Sequence, residues 1–277
     1  MLQRTITGTI FVIILLGSVL FSAYSFAILF FTITILGIWE FYTLAEKTGH
    51  QPQRITGILL GAFLFSGTLL NYSTTYGKFA LFPIALLLPT LFSIFIIELY
   101  RKKEKAFGNI AYTILGVLYI ALPFSLFTVI AFGTPVTFST NSYEPSKILG
   151  ILFILWSSDT GAYLSGKAFG KHKLFERISP KKTWEGTIGG GILALAVAYI
   201  VSIYFTGFNV MDWMIIALII VILGNLGDLV ESLFKRTIDV KDSGTILPGH
   251  GGILDRFDSL IISIPFIFIY IFFISTL

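Results

Sequence analysis

The sequence predicts an all-α, polytopic integral membrane bundle of about nine transmembrane helices, N-terminus cytoplasmic and C-terminus outside. Three observations carry that prediction. Of 277 residues, 55% are hydrophobic and 12% charged, and the mean hydropathy of +0.88 lies far from that of a soluble domain. Nearly charge-free runs recur at 5–22, 25–45, 55–72, 79–99, 107–131, 147–165, 186–207, 212–232 and 259–277, each close to the ~20 residues a spanning helix needs. With the N-terminus inside, Arg4, Lys47, Arg54, Arg101, Lys102, Lys103, Lys105, Lys167, Lys171, Lys173, Arg177, Lys181, Lys182, Lys235, Arg236, Lys241 and Arg256 all fall on the cytoplasmic side, and only Lys78 and Lys147 fall outside. This is a strong positive-inside pattern, and one span more or fewer midway would scramble it.

The net charge of +4 follows from that topology and calls for no nucleic-acid partner. The basic cytoplasmic face suits the lipid bilayer's anionic headgroups and nucleotides. Cysteine is absent, which excludes disulfides and thiolate metal sites. The first apolar run lacks a small-residue cleavage motif and reads as a retained helix.

The first two spans meet at a short turn, Ser22 to Ser25, and form an antiparallel hairpin. Trp39-Glu40-Phe41-Tyr42 then sets one acid near the cytoplasmic end of the second span. Glu40 could serve a site or be an interfacial acid beside an aromatic belt; spacing alone favours the second. Pro83 and Pro89, in the run 79–99, are tolerated as kinks where neighbours satisfy the freed carbonyls. Arg101-Lys102-Lys103-Glu104-Lys105 reads as a topology determinant. The polar outer segment from Gly133 to Ser146 divides an N-terminal scaffold, 1–146, from a C-terminal functional region, 147–277.

The sixth span ends in Trp156-Ser157-Ser158-Asp159-Thr160-Gly161. An acid at that depth costs at least ~2.5 kcal/mol, so Asp159 should face a cavity or a partner such as Lys167. After it, Ser179-Pro180 reads as a helix start with Ser179 as N-cap and Pro180 in the first helical position. Lys181, Lys182 and Thr183 would then occupy the first turn, where two lysines plus free N–H groups make a phosphate seat. The bland reading, ordinary lysines flanking the seventh span, stays open. Gly186, Gly189, Gly190 and Gly191 permit close helix contact or close ligand approach. His172 reads as a solvated loop residue.

The richest stretch is Gly224 to Ser259, with six of the chain's fifteen acids: Asp228, Glu231, Asp239, Asp242, Asp255 and Asp258. If Val221 to Arg236 is helical, Asn225, Asp228, Glu231, Ser232 and Lys235 form one polar stripe. A second helix from near Leu254 puts Asp255, Asp258 and Ser259 on one face. Between them, Pro248-Gly249-His250-Gly251-Gly252 allows a tight backbone near phosphate. Two carboxylate-bearing helix ends joined by such a loop suit Mg²⁺, which takes a few carboxylates plus substrate phosphate oxygens.

Three segments together carry a resemblance: Ser157 to Leu174, Ile178 to Gly186, and the run from Ser232 through Lys241-Asp242 to Pro248-Gly249-His250-Gly251-Gly252-Ile253-Leu254-Asp255-Arg256-Phe257-Asp258. They resemble the hallmark segments of the phosphatidate cytidylyltransferase (CDP-diacylglycerol synthase) family, over about 100 residues (Ser157 to Asp258); residues 1–146 are similar only in hydropathy and the Trp39–Tyr42 element. The resemblance implies a bacterial inner-membrane enzyme, with its site on the cytoplasmic side, that condenses CTP with phosphatidic acid. It implies that Asp228 and Asp255 hold Mg²⁺, in a metal pair that can include a second cation such as K⁺. It further implies that Asp228, Asp255, Lys235, Arg236, His250 and Asp258 carry the reaction. Asp159, Ser179, Lys181, Lys182, Thr183, Glu185, Lys241, Asp242, Gly251, Gly252 and Arg256 would bind the substrates. Asp258 is the weaker metal ligand and could instead hold Arg256 or Lys235. Small-residue helix faces leave room for a homodimer without specifying one.

Two other classes fit less well. A CDP-alcohol phosphatidyltransferase needs its acids in a D-x-x-D and D-x-x-x-D run opened by Asp-Gly, which is missing here. A cation-coupled transporter would use Glu40, Asp159 and Asp228 as an ion path, but transporters show broken helices in two repeated halves, and intramembrane polarity here sits in one half.

Overall fold

The computed structural model describes residues 2–71, 79, 81–133, 143–246, 249 and 251–276, without the side chains of residues 2–4. Lys78, Pro248 and His250, the side chain of Arg4 and most of the outer segment (134–142) lie outside the described residues. Nine helices follow one another in them: α1 (Leu2–Phe21), α2 (Ala23–Lys47), α3 (Arg54–Asn71), α4 (Leu81–Arg101), α5 (Ala106–Phe132), α6 (Pro145–Phe169), α7 (Trp184–Tyr204), α8 (Val210–Thr237) and α9 (Leu254–Thr276). Eight are long and apolar enough to cross a membrane, and the apolar part of α1, Thr5–Phe21, is shorter. The fold is the all-α membrane bundle that the hydropathy pattern predicts.

The chain folds back and forth between two ends. At one end, Gln51 after α2 accepts from Arg101 at the end of α4 (2.9 Å). At the other, Tyr143 before α6 donates to Val19 at the end of α1 (2.7 Å), and Lys147 pairs with Glu144 at 2.8 Å beneath the Phe208 ring. Lys147, expected outside, is thus buried and neutralised rather than solvated. The α1–α2 turn is closed by a capping box in which Ser22 and Ser25 satisfy each other's backbone N–H groups.

Aromatic packing fixes the middle of the bundle. Phe30 of α2 meets Phe127 of α5 at 5.2 Å, and Phe124 of α5 meets Phe257 of α9 at 5.5 Å, both edge to face; that geometry suits ring quadrupoles. Because Phe257 is plugged into this cluster, the first turn of α9 has one rotation, and Asp255 and Asp258 are aimed by it. Tyr42 is fully buried in a slot between Gly57 and Gly116, where any Cβ would strike its ring, and its hydroxyl donates to Thr113 O at 2.6 Å.

Two helices widen locally. In α5 the wide turn Val117–Ala121 comes just before Pro123, which lacks an N–H and would crowd the preceding turn. In α8 the wide turn Ile220–Gly224 lies one turn before Asp228, and Asn225 Nδ2 satisfies Val221 O at 2.7 Å. Such turns frequently occur at functional sites.

α6 and α7 make the most extensive helix contact in the molecule. Gly161 backs onto Gly189 and Gly190, while Gly190 approaches Ser158 O and Ala162. These glycines serve close helix packing, one of the two roles the sequence leaves open.

The Ser179-Pro180 helix start is corrected. Ser179–Thr183 is a strand, β2, antiparallel to β1 (Lys173–Phe175) with Lys173 opposite Thr183 and Phe175 opposite Ser179. The helix starts at Trp184 with Thr183 as N-cap, its hydroxyl accepting from Gly186 N at 3.1 Å. Two lysines in a first turn would oppose the helix dipole, whereas Glu185 there complements it. Pro180 is tolerated because a two-stranded ribbon has only edges.

Candidate active site

The polar stripe of α8 forms as its spacing predicts, and the hairpin and α9 close on it. Strand alternation sends Lys181 to solvent and Lys182 inward, since successive strand residues face opposite ways. Lys182 Nζ meets Asp228 Oδ2 at 2.6 Å and Asn225 O at 3.1 Å. Ser232 Oγ donates to the other Asp228 oxygen at 3.1 Å. One turn on, Lys235 Nζ lies between Glu231 Oε2 (3.0 Å) and Asp255 Oδ1 (2.6 Å). The helices α8 and α9 are therefore joined by an acid–base–acid bridge whose lysine side chain is only 11% exposed.

Carboxylate oxygens of Asp228, Glu231 and Asp258 lie within 4.8 Å of one another. Glu231 is 2% exposed, and its Oε1 is buried with no hydrogen-bond partner among the described residues. Asp159, on α6, is exposed at the same end, within the electrostatic reach of Lys182, Asp228 and Arg256. Three hard oxygen donors with one unpartnered acceptor fit Mg²⁺ chemistry.

Asp255 is differently engaged. Besides Lys235, it accepts at Oδ2 from Ser243 N, Ser243 Oγ and Gly252 N, each at 2.8 Å. The structure thus brings Asp228 together with Glu231 and Asp258, and Asp255 reaches them through Lys235. Asp258 does not hold Lys235, whose carboxylate partners are Glu231 and Asp255.

Other predicted residues lie around this centre. Gly251 has φ +84°, a left-handed value suited to glycine, and a Cβ there would strike Asp255. Lys241, Asp242, Arg236 and Arg256 stand exposed at the same end. Glu185 accepts from Lys171 N (3.1 Å) and from His172 N and Nδ1, so it ties the hairpin base to α7. His172 is an exposed partner of Glu185 rather than a purely solvated loop residue.

Sequence reasoning missed one residue. Glu40, whose interfacial reading the spacing favours, is 3% exposed and lies against Ser243, Gly252 and the start of α9. Its sequence signals were an acid inside an apolar run and its place in the Trp39–Tyr42 element.

A match to the cytidylyltransferase family spans residues 2–274. The chain belongs to that family. Members named phosphatidate cytidylyltransferase include one from Bacillus subtilis, 34% identical over 273 residues that cover 97% of this chain and 96% of the relative. One from Haemophilus influenzae is 34% identical over 296 residues, covering 98% and 99%. A Staphylococcus aureus relative is 46% identical over 166 residues, or 59% of this chain and 60% of that one. Family membership accounts for charged side chains buried at one end of an apolar bundle, where they would otherwise cost free energy.

Proposed function

We propose that this membrane protein transfers the cytidylyl group of CTP to phosphatidic acid, giving CDP-diacylglycerol and pyrophosphate for phospholipid synthesis. One observation carries the reading: in a chain of this family, Lys182, Lys235, Asp159, Asp228, Glu231, Asp255 and Asp258 from three helices and a hairpin converge at one end of the bundle. A phosphatidate oxygen attacks the α-phosphorus of CTP; the bond to the β-phosphate breaks and its electron pair leaves with pyrophosphate. That nucleophile is already anionic, so no strong general base is needed, and positioning with charge neutralisation supplies most of the catalysis. Lys182, Lys235, Arg236, Lys241 and Arg256 supply cations for triphosphate and lipid phosphate.

Asp228 with Glu231 and Asp258 would hold Mg²⁺, or Asp228 with Asp255 after Lys235 is displaced by substrate phosphate. A metal there polarises phosphoryl oxygens and stabilises developing charge. A cavity of about 380 Å³ lined by Phe41, Leu115, Tyr119, Leu233 and Phe234 would take part of one acyl chain beside this centre. Tyr119 Oη, buried without a partner among the described residues, sits in the field of Glu231, Asp258 and Asp228 and would donate to the lipid headgroup. The cation distribution supports reading this end of the bundle as cytoplasmic, at the inner membrane of a bacterial cell. The test is incubation of purified protein with radiolabelled CTP, phosphatidic acid and Mg²⁺; label extracted into lipid is expected, and label confined to the aqueous phase would overturn the reading.

A further inference from the structure

Glu40 belongs to α2, in the half of the chain the sequence reads as scaffold, yet among the described residues its carboxylate hydrogen-bonds to the loop and helix that carry Asp255. Oε1 lies 2.5 Å from Ser243 Oγ and 3.0 Å from Leu254 N. Oε2 accepts from Ile253 N at 2.9 Å. The first N–H groups of a helix have no partner within it, and at α9 the partner is supplied by this distant glutamate, which also sits favourably at the positive end of the helix dipole. Gly244 and Gly252 lack the Cβ that would collide with its carboxylate. The fit is therefore built from both sides.

Ser243 makes the link to chemistry. Its hydroxyl has one proton but lies within hydrogen-bond distance of two carboxylates, Glu40 Oε1 and Asp255 Oδ2 (2.8 Å). Ser243 N donates to the same Asp255 oxygen, and Asp255 N faces Ser243 Oγ at 3.3 Å. The orientation of Asp255, and through Lys235 that of Glu231, is thus set by a serine that Glu40 holds.

We propose that Glu40 is a positioning residue for the reaction: acting through Ser243 and the start of α9, it fixes Asp255 and so lets the N-terminal half complete the catalytic centre. This rests on the cytidylyl-transfer reading for its kinetic arm. A carboxamide at this position can accept on one side only, and its NH₂ would face a backbone N–H or the serine. Partners one step removed from a centre typically cost 10–100-fold when lost.

The experiment compares wild type, Glu40→Gln, Ser243→Ala and the double variant as full-length protein in detergent. Per folded molecule, kcat should fall about 10- to 100-fold in Glu40→Gln, with KM for CTP changed less than threefold and the thermal midpoint of the folded fraction retained in Ser243→Ala. Because both residues act through one hydroxyl, the double variant should be no worse than Glu40→Gln alone. Unchanged kcat in folded Glu40→Gln, or multiplicative losses in the double variant, would overturn the proposal and leave Glu40 a helix cap only. Amide hydrogen exchange reads the same linkage without reference to any reaction: Ile253 and Leu254 should lose protection in Glu40→Gln, and retained protection would sink the proposal even where no cytidylyl transfer is found in wild type.

Discussion

Lys182 Nζ lies 2.6 Å from Asp228 Oδ2, so the inward lysine of the β-hairpin between α6 and α7 is tied to the polar face of α8. Lys181, its neighbour on β2, points to solvent. Replacing Lys182 by Ala should raise the apparent KM for CTP or phosphatidate about 10- to 100-fold, because a charge-assisted contact contributes ~1.5–3 kcal/mol. Lys181→Ala should change either KM by less than about threefold. Steady-state kinetics in both substrates decide it, and equal effects at the two lysines would return both to the role of topology determinants.

Metal holding separates two arrangements of acids. Asp228→Asn should abolish nearly all turnover in a folded protein, since it removes a hard anionic ligand with little change of shape. If the Asp228–Glu231–Asp258 trio holds the ion, Glu231→Gln and Asp258→Asn should shift the half-saturating Mg²⁺ concentration upward by at least tenfold. If Asp228 shares it with Asp255, Asp255→Asn should match Asp228→Asn and the double variant should be scarcely worse than either. Turnover measured against Mg²⁺ concentration distinguishes the two, and wild-type titration curves in all variants would exclude both.

Tyr119→Phe removes a hydroxyl that is buried with no partner among the described residues. Deleting an unsatisfied polar group is neutral or stabilising, so the thermal midpoint should hold or rise. KM for phosphatidate should nonetheless increase, with KM for CTP unchanged. A fall in stability, or an effect confined to CTP, would contradict a lipid-facing role.

Orientation is open to a direct measurement. A reporter fused after Leu277 should be active only on the outer side, and one inserted near Lys173 only in the cytoplasm. Cytoplasmic activity of the C-terminal fusion would refute the nine-span arrangement.

Much of this was legible in the residues. Hydropathy and length mark the spans because a bilayer accepts only backbone that satisfies its own hydrogen bonds, and the three-and-four spacing of Asn225, Asp228, Glu231, Ser232 and Lys235 marks the polar face of α8. What escaped were contacts between segments far apart in the chain. Nothing near Glu40 reports that the loop before α9 folds onto it, since a single acid in an apolar run has the same local pattern whether it faces headgroups or a helix terminus. The hairpin was misread because Ser-Pro suits both a helix start and an extended edge, whereas Thr183, four residues after Ser179, caps a first turn that carries Glu185 instead of two lysines. The trio of carboxylates depends on how α9 is rotated by Phe257, which no periodicity within α9 reveals.

The reach of Glu40 also bears on biogenesis. Its backbone partners lie 213 and 214 positions further along the chain, so the ribosome delivers α2 to the membrane long before anything exists to receive its carboxylate. Until α9 arrives, that acid lacks the Ile253 and Leu254 N–H groups that it accepts from in the folded protein. Insertion of the last helix supplies them, so a contact between the second helix and the last forms only once the chain is threaded through to α9. A chain truncated before Ile253 would leave the Glu40 carboxylate without both of these backbone partners.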